Sequence, residues 1–587
     1  MKINKVTISN WRSIDKIEIQ FESLMVFIGQ NNHGKSNILT ALLFFFGEIN
    51  CDNEDIRDGF EECFVEIVFS ELDESDKTTF KKYLLHDNCV RFRRVANSAN
   101  NTCSYHGYIE EPVNDWLKES NAALYAKREA INDTPLANLV SPKGRITKAE
   151  VIEAQAKYIE SHNDEIEFVM TLESGNLLGL KNVAKGIWGE VFFIPAVKKA
   201  SEELSTKSTT TFNRLYSRVI DAMSSSSTEF IKAKTELENL VNRLNKVGKD
   251  GAVNTKRPQE LQDFESLLDG ELTDWNASID VEITPPDIDG LLRVGTNVWV
   301  DDGVRTDVSR KGQGLQRALI FALVRALSKL NDTSHEEDSP TRKASKSTYF
   351  ILEEPELFLH PHAQRSLFAS LKSLTDSSQV VLCTHSSAFI SLEMFKSICR
   401  VERKKPTSTT TICQCVVDVF EGLDAKKKFN MVYWVNPDRG ELFFSKKAIL
   451  LEGPTDKTII PMLASKLGVF KHEYSLIDCG SKDSMVPYIQ LLNYFNIPYT
   501  AVYDKDHQAW KSENAIASAD RSTRLIESKI SHHLGSSVVF VNDIEEEIGL
   551  DPVAGSKNKP FLALEFISSD GFKISDSLSS KVKDIFS

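Results

Sequence analysis

No stretch of this 587-residue chain holds the roughly 18 consecutive apolar residues that a membrane-spanning helix needs. The densest run, ALLFFF (41–46), is far too short. The opening residues, MKINKVTISNW, alternate like a strand and lack the apolar core of a signal peptide. Cysteine is sparse: nine are scattered along the chain, and Cys413 with Cys415 is the only close pair. That spacing excludes a cysteine-based zinc site and a disulfide framework, and it points to a reducing cytoplasm. Positive charge is not in excess either. The 70 Lys and Arg stand against 84 Asp and Glu, a net charge of −14, which excludes a surface coated in basic side chains. Local patches such as RVERKK (400–405), KKK (426–428) and KGR (143–145) remain, and each reads first as solvated surface. No internal repeat is found. A hydrophobic share of 41% supports large cores and excludes global disorder. The length allows about three to four domains.

The chain alternates in character. Residues 2–9 and 24–28 (LMVFI) read as strands, 29–36 as a loop, 36–46 as a helix, 63–69 and 191–197 as further strands. The Asn-rich stretch near 96–102 reads as a hairpin or loop. From about 200 to 278 serine-rich joints separate polar helices, and Leu237, Leu240 and Leu244 recur with helical spacing, a stripe suited to packing on a partner helix. An α/β pattern resumes at 279 and runs to about 422, interrupted by a polar loop at 331–347. Residues 423–445, with Asn-Pro-Asp-Arg-Gly turn chemistry, suit a linker. Strands and helices alternate again from 446 to 587.

GQNNHGKS (29–36) fits the pattern G-x-x-x-x-G-K-[S/T] and sits after a strand and before a helix, as phosphate binding requires. Gly29 and Gly34 allow backbone amides to approach phosphates, with Asn32 between them. Lys35 would reach the β and γ phosphates, Ser36 would hold Mg²⁺, and Asn37 opens the helix. TYFILEEPE (348–356) is an apolar strand that ends in paired acids. In P-loop ATPases the first, here Glu353, assists Mg²⁺, and the second, Glu354, polarises the attacking water. QVVLCTHSS (379–387) is another apolar strand, and its polar end, His385, suits a γ-phosphate sensor. Between the acids and the P-loop, KGQGLQRALIFALVRAL opens an apolar helix on Gly312 and Gly314, with Gln316 just inside it.

This order of motifs resembles ABC-type ATPases, closest to their SMC and RecF-like branch, whose first-strand motif Asn10-Trp11-Arg12-Ser13 is similar to. The resemblance implies that the helix at 312–316 faces the P-loop of a second subunit, so that self-association into at least a homodimer is expected. GQGLQ departs from the family's usual LSGGQ, with Gln313 where the serine stands.

A second cluster of acids lies near the C-terminus. KAILLEGPTDK (447–457) is an apolar strand ending in Glu452, a Gly-Pro turn, and Asp456 in the first turn of a helix. YSLI (474–477) is a second strand, followed by Asp478 and Gly480. TAVYDKDH (500–507) is a third, ending in Asp504 and Asp506. In a parallel α/β sheet, ligands collect beyond the carboxyl ends of the strands, which brings these acids together across some fifty residues of chain. Carboxylate oxygens at this density suit Mg²⁺ or Mn²⁺.

That spacing resembles the Toprim domain of topoisomerases, primases and a group of nucleases. Glu452 matches its glutamate, and Asp504 and Asp506 its D-x-D. An ABC-type ATPase followed by a Toprim domain is similar to the OLD (overcoming lysogenisation defect) family of ATP-dependent nucleases, and the likeness spans almost the whole chain. It implies an α/β ATPase head with a helical dimerisation insert and a C-terminal Toprim α/β domain. It also implies a two-metal DNA endonuclease with ATP and Mg²⁺ or Mn²⁺ as cofactors. By the same resemblance Asp456 is a further metal ligand. Glu545, then Glu546, supplies the later acid, and Lys559, ahead of Lys557, the transition-state cation. Bacterial anti-phage defence is the implied setting, with a helicase or a reverse transcriptase as partner in some such systems and no membrane. The alternatives are a RecF-like DNA-binding ATPase or scaffold with a degenerate Toprim fold, and a topoisomerase or primase. The joint presence of Glu452, Asp504 and Asp506 argues against a degenerate site. The chain is missing the zinc-binding cysteines common beside primase Toprim domains.

Overall fold

The computed structural model describes the chain except residues 86, 143, 163–164, 174, 176, 180–185, 197–209, 211–215, 218–219, 221–226, 247–253, 255–256, 272–279, 284–297, 334–346, 405, 420–437 and 551–557. It forms two compact units. One holds residues 1–196, 337–357 and 361–587, and the other 197–336 with 358–360. The second unit thus reaches past the expected insert boundary at 278 and includes the helix that follows Gly312. Lys557, the KKK patch and most of the expected linker lie outside the described residues.

In the first unit the strands β1 (Lys2–Trp11), β2 (Ile14–Gln20), β3 (Leu24–Ile28), β4 (Glu62–Ser70), β5 (Val90–Asn97), β6 (Thr102–Pro112), β7 (Phe168–Leu172) and β8 (Glu190–Ile194) come first in the chain. In the second unit β9 (Trp299–Asp301) and β10 (Arg305–Asp307) pair as an antiparallel ribbon. The strands β11 (Thr348–Glu353), β12 (Gln379–Cys383), β13 (Ile398–Lys404) and β14 (Thr409–Gln414) return to the first unit. There they complete a sheet in the order β7-β6-β5-β4-β1-β2-β14-β13-β3-β12-β11-β8. One half is an antiparallel meander, whose Asn-rich turn joins β5 to β6. The other half, β13-β3-β12-β11-β8, is parallel. Parallel strands covered on both faces read as unbroken apolar runs. LMVFI and QVVLC are such runs, buried along their whole length.

Helix α1 (Lys35–Phe45) packs its apolar residues into this core. The NWRS segment braces it. The Trp11 ring stacks on Phe44 at 5.0 Å, and Trp11 Nε1 donates to Thr40 Oγ1 at 3.2 Å.

The second unit contains α2 (Thr228–Leu244), α3 (Gln259–Glu271) and α4 (Gln313–Thr333). On α2 the residue that is buried is Val241, while Leu240 of the expected stripe is half exposed.

The C-terminal domain, also in the first unit, has β15 (Lys447–Leu451), α5 (Pro454–Lys466), β16 (Tyr474–Asp478), α6 (Met485–Tyr494), β17 (Tyr499–Asp504), α7 (Glu513–Lys529), β18 (Gly535–Phe540), α8 (Ile544–Ile548), α9 (Lys559–Ser568) and α10 (Asp576–Ile585). The four strands are parallel, in the order β16-β15-β17-β18. Helices α5, α9 and α10 share one apolar core against the sheet. The last residues of the expected linker belong here. Leu442 and Phe443 are fully buried, and Phe443 packs edge-on against Phe495 at 5.0 Å.

Candidate active sites

Strand β3 delivers the chain to the P-loop. Gly29 has φ +146° and Gly34 φ +103°, and a Cβ at either would collide with Val401 O or Thr410 Oγ1. The loop therefore demands glycine at both places, which leaves its amides open to a phosphate. Lys35 is buried, and its Nζ donates to the carbonyls of Gly29 (2.9 Å) and Gln30 (3.0 Å). Burial lowers its pKa. Asn32 takes a positive φ of 62°. The Asn37 amide is committed to Ser13 Oγ (2.8 Å) and Arg12 Nη1 (3.4 Å), so it fixes the start of α1.

Ser36 Oγ donates directly to Glu353 Oε1. The two side chains expected to share Mg²⁺ are thus joined across 317 residues of sequence by the β3-β12-β11 order. Glu354 has φ 44°, in the left-handed region, and its carboxylate lies 3.6 Å from His385 Nε2. Burial lowers the His385 pKa. Sequence reasoning missed Glu356. This buried carboxylate accepts from Thr384 Oγ1 (2.8 Å) and from the His385 amide (2.6 Å), and so sets the position of His385. Burial raises its pKa. A third acid in LEEPE was the available signal.

In the second unit, α4 begins at Gln313. Gln316 N bonds Gly312 O at 3.1 Å, and Gln316 Nε2 bonds Lys311 O at 2.7 Å. A Cβ on Gly314 would crowd Phe358 O at 3.1 Å.

The second site lies at the carboxyl ends of β15 and β17. Connections from β15 and β17 leave the sheet in opposite directions, so the crevice between them is a topological switch point. Glu452 follows β15, and Asp504 ends β17. The Asp504 amide donates to Glu452 Oε2 at 3.2 Å. Asp456 sits in the first turn of α5, where its Oδ2 accepts from Gly453 N at 3.1 Å. Burial is the main cause that pushes the Asp456 pKa up to about 7, with Glu452, Glu545 and Asp478 adding negative charge. Burial likewise pushes Asp504 up to about 9, reinforced by Asp456, Glu452, Asp506 and Asp543. Glu452 is also raised by burial. Asp504 Oδ1 is buried without a hydrogen-bond partner.

Around this floor, Lys511 Nζ holds Asp506 Oδ1 at 2.5 Å, and Lys482 Nζ donates to the Asp504 carbonyl. Asp543 caps α8 by accepting from Glu546 N at 2.8 Å, and its other oxygen takes a bond from Gln508 Nε2 at 3.2 Å. On α8, Glu545 lies 3.6 Å from Lys559 Nζ, whereas Glu546 bonds the Asn542 amide. The geometry brings Glu545 and Lys559 together and turns Glu546 elsewhere. Lys482, Lys511, Gln508 and Asp543 were not singled out from sequence. The Asp-x-x-Glu capping pattern at 543–546 was a usable signal for one of them.

Among the described residues, no three Asp, Glu, His or Cys side chains meet around one point as ready-made ligands. The donor set nevertheless fits a hard divalent cation. It is all oxygen, it is buried deeply enough to raise three carboxyl pKa values, with neighbouring carboxylates adding to the shift, and it includes an orphaned Asp504 oxygen.

The two sites are joined by β13. Its Val401 carbonyl lies 3.3 Å from His33 Nδ1 of the P-loop, and Arg403 Nη1 donates to Asn32 O at 3.4 Å. Arg400 of the same strand pairs with Glu402 and donates to the carbonyls of Phe495 (2.9 Å) and Asn496 (3.1 Å), in the turn that leads into β17.

Fold and sites together define a P-loop ATPase head continued by a Toprim α/β domain. The chain belongs to the AAA ATPase domain family, which matches residues 1–390, and residues 443–506 match the Overcoming lysogenization defect protein-like TOPRIM domain. It is 22% identical to the "Old nuclease" of Escherichia phage P2 over 86% of this chain and 77% of that protein. It is 24% identical to the "OLD nuclease" of Thermus scotoductus over 44% of this chain, which spans about half (48%) of that relative. Among solved structures, a Smc head domain with an extended coiled coil, bound to the C-terminal domain of ScpA derived from Pyrococcus furiosus, aligns with a TM-score of 0.34 at 13% identity. It covers 70% of this chain and 96% of that one. No helix among the described residues is long and apolar enough to cross a membrane.

Proposed function

We propose that this protein is an ATP-controlled, divalent-metal-dependent DNA endonuclease. The observation that carries the reading is the crowding of Glu452, Asp456 and Asp504 at the switch-point crevice, where Asp504 Oδ1 is buried and unpartnered. Glu452, Asp456, Asp504, Asp506 and Glu545 are the residues that would hold Mg²⁺ or Mn²⁺. When bound, two such ions supply an activated water and charge neutralisation at a scissile phosphodiester.

The chain's own residues do the rest. Lys559, half exposed beside Glu545, offers its ammonium to the phosphoryl oxygens as negative charge develops. Lys511 and Lys482 hold the D-x-D loop in place through Asp506 and the Asp504 carbonyl. These groups address only the backbone of the nucleic acid, so they impose no base preference. The printed names of both curated relatives and the TOPRIM match support nuclease chemistry.

In the head, Gly29, Asn32, Gly34, Lys35, Ser36, Asn37 and Glu353 form the site for ATP with its Mg²⁺. Glu354 orients water, and His385 senses the γ-phosphate. Gly312, Gly314 and Gln316 face the nucleotide of a second copy, which makes the working form a homodimer or higher oligomer. ATP acts on cutting through β13, whose P-loop contacts and Arg400 bonds supply a continuous path to β17. A cytoplasmic role in anti-phage defence, with a helicase or reverse transcriptase as partner, rests on the two-domain likeness to OLD-family nucleases.

The test is incubation of supercoiled plasmid with the purified protein and Mg²⁺ or Mn²⁺, with and without ATP. The variant Asp504→Ala, Asp506→Ala is run beside it. Cutting by the wild type alone is expected. Intact plasmid under every condition, or equal cutting by the variant, would replace the nuclease with a DNA-binding scaffold.

A further inference from the structure

Trp510 is the most exposed large apolar side chain among the described residues, 71% accessible. An indole carries a large apolar face that gains by leaving water, so one left in water calls for an explanation. It stands on the loop that leaves Asp506, in the tight turn closed by Lys511 N to Gln508 O at 3.0 Å. That turn is pinned on three sides. Lys511 holds Asp506 at 2.5 Å, Gln508 holds Asp543 at 3.2 Å, and His507 bonds Asp520 at 2.8 Å. A turn so anchored has no local need for tryptophan.

The surroundings select the ligand. Lys511 Nζ lies 5.7 Å from the indole centroid, and the exposed Lys505 is in the same loop. Val541, next to Asn542 and Asp543, and Phe561, two residues after Lys559, are also exposed, at 58% and 62%. A flat apolar face with an ammonium 5.7 Å from its centroid, on the loop that leaves the D-x-D acids, complements a nucleobase attached to a charged backbone. An internal base can reach it only when unpaired, because duplex stacking covers both faces of an internal pair.

We infer that Trp510 is a stacking platform for an unpaired nucleobase of the DNA strand held at the carboxylate cluster. The inference rests on the nuclease reading and adds a substrate class to it: strands, flaps or bubbles with an unpaired base near the scissile phosphate, over continuous duplex.

The test compares an oligonucleotide duplex carrying a central bubble with the same duplex fully paired, each with 2-aminopurine at the central position. Wild type is expected to cut the bubble at lower KM and to quench 2-aminopurine on binding. Trp510→Ala should raise the bubble KM about tenfold, with kcat and the paired-duplex KM within about twofold, and should abolish quenching. Trp510→Phe should recover most of both. Equal losses on the two substrates, or an alanine variant indistinguishable from wild type, would overturn the platform; the latter would leave Trp510 for a protein partner. Quenching without cutting of either substrate would sink the nuclease reading while the platform stands. Cutting without quenching or bubble preference would do the reverse.

Discussion

Arg400 donates to the carbonyls of both Phe495 and Asn496, at 2.9 and 3.1 Å. It thereby ties a strand that lines the P-loop to the turn that launches β17 toward Asp504. Charge-assisted bonds of this kind contribute about 1.5–3 kcal/mol each. In Arg400→Ala, ATP hydrolysis and ATP-independent cutting are each expected to stay within about threefold of wild type, since an effect larger than that needs more than about 0.6 kcal/mol at the reacting centres. The response of cutting to ATP should vanish. Plasmid assays with and without nucleotide, beside phosphate release, measure it; a preserved ATP response would refute the link.

The acid cluster predicts a pH dependence whose sign is fixed. Asp456 and Asp504 hold their protons up to about pH 7 and about pH 9 in the folded chain, against an ordinary value of 3.8. Between those limits the native state binds more protons than the unfolded state, so stability falls as pH rises and levels off above about pH 9. Chelator-treated protein should therefore show a Tm that declines from pH 5 to pH 9, about those limits. Mg²⁺ or Mn²⁺ should flatten the decline. Calorimetry at pH 7 in buffers of different ionisation enthalpy should detect about one and a half protons released per site on metal binding, one from Asp504 and half of one from Asp456. A flat Tm profile together with no proton release would count against the cluster as drawn.

Asp504→Asn separates function from stability. It removes a carboxyl that must take up a proton on folding while keeping the shape, so the chelator-treated variant at neutral pH should melt higher than wild type by about 1–2 kcal/mol of stability. Cutting should fall by at least about a hundredfold, since a metal ligand is lost. Thermal melts and plasmid cutting on the same preparation decide this. A variant that melts lower would place Asp504 in a favourable, not a strained, setting.

Gly34→Ala tests the P-loop's backbone. At φ +103°, with Thr410 Oγ1 where a Cβ would go, alanine should cost more than about 1 kcal/mol and abolish ATP binding. Gly453→Ala is the control, because a Cβ there meets nothing within 4 Å. Fluorescent-nucleotide titration and melting report both. Near-wild-type ATP affinity in Gly34→Ala would mean the loop does not adopt this geometry.

Much of both sites was legible before any coordinates. G-x-x-x-x-G-K-S, the acids after TYFIL and the D-x-D after AVY are local patterns whose chemistry needs those residues at that spacing. Parallel β order then brings Glu452 beside Asp504. The structure was needed where several residues fitted one pattern. Glu545 and Glu546 are adjacent on a helix, so their side chains diverge by about 100°. The Asp543 cap sets the phase that sends Glu545 to Lys559 and Glu546 to Asn542.

The sequence by itself determined the phosphate loop, the two pairs of acids and the order of the domains, because strand-ending runs and glycine positions are fixed by neighbours along the chain. Only the tertiary structure decided that β13 leans on the P-loop while holding the Asn496 turn, that Glu356 sets His385, and that Trp510 stands in water on the loop that leaves Asp506. The first two relations join residues dozens to hundreds of positions apart, and all three depend on sheet order and side-chain direction that no local pattern encodes.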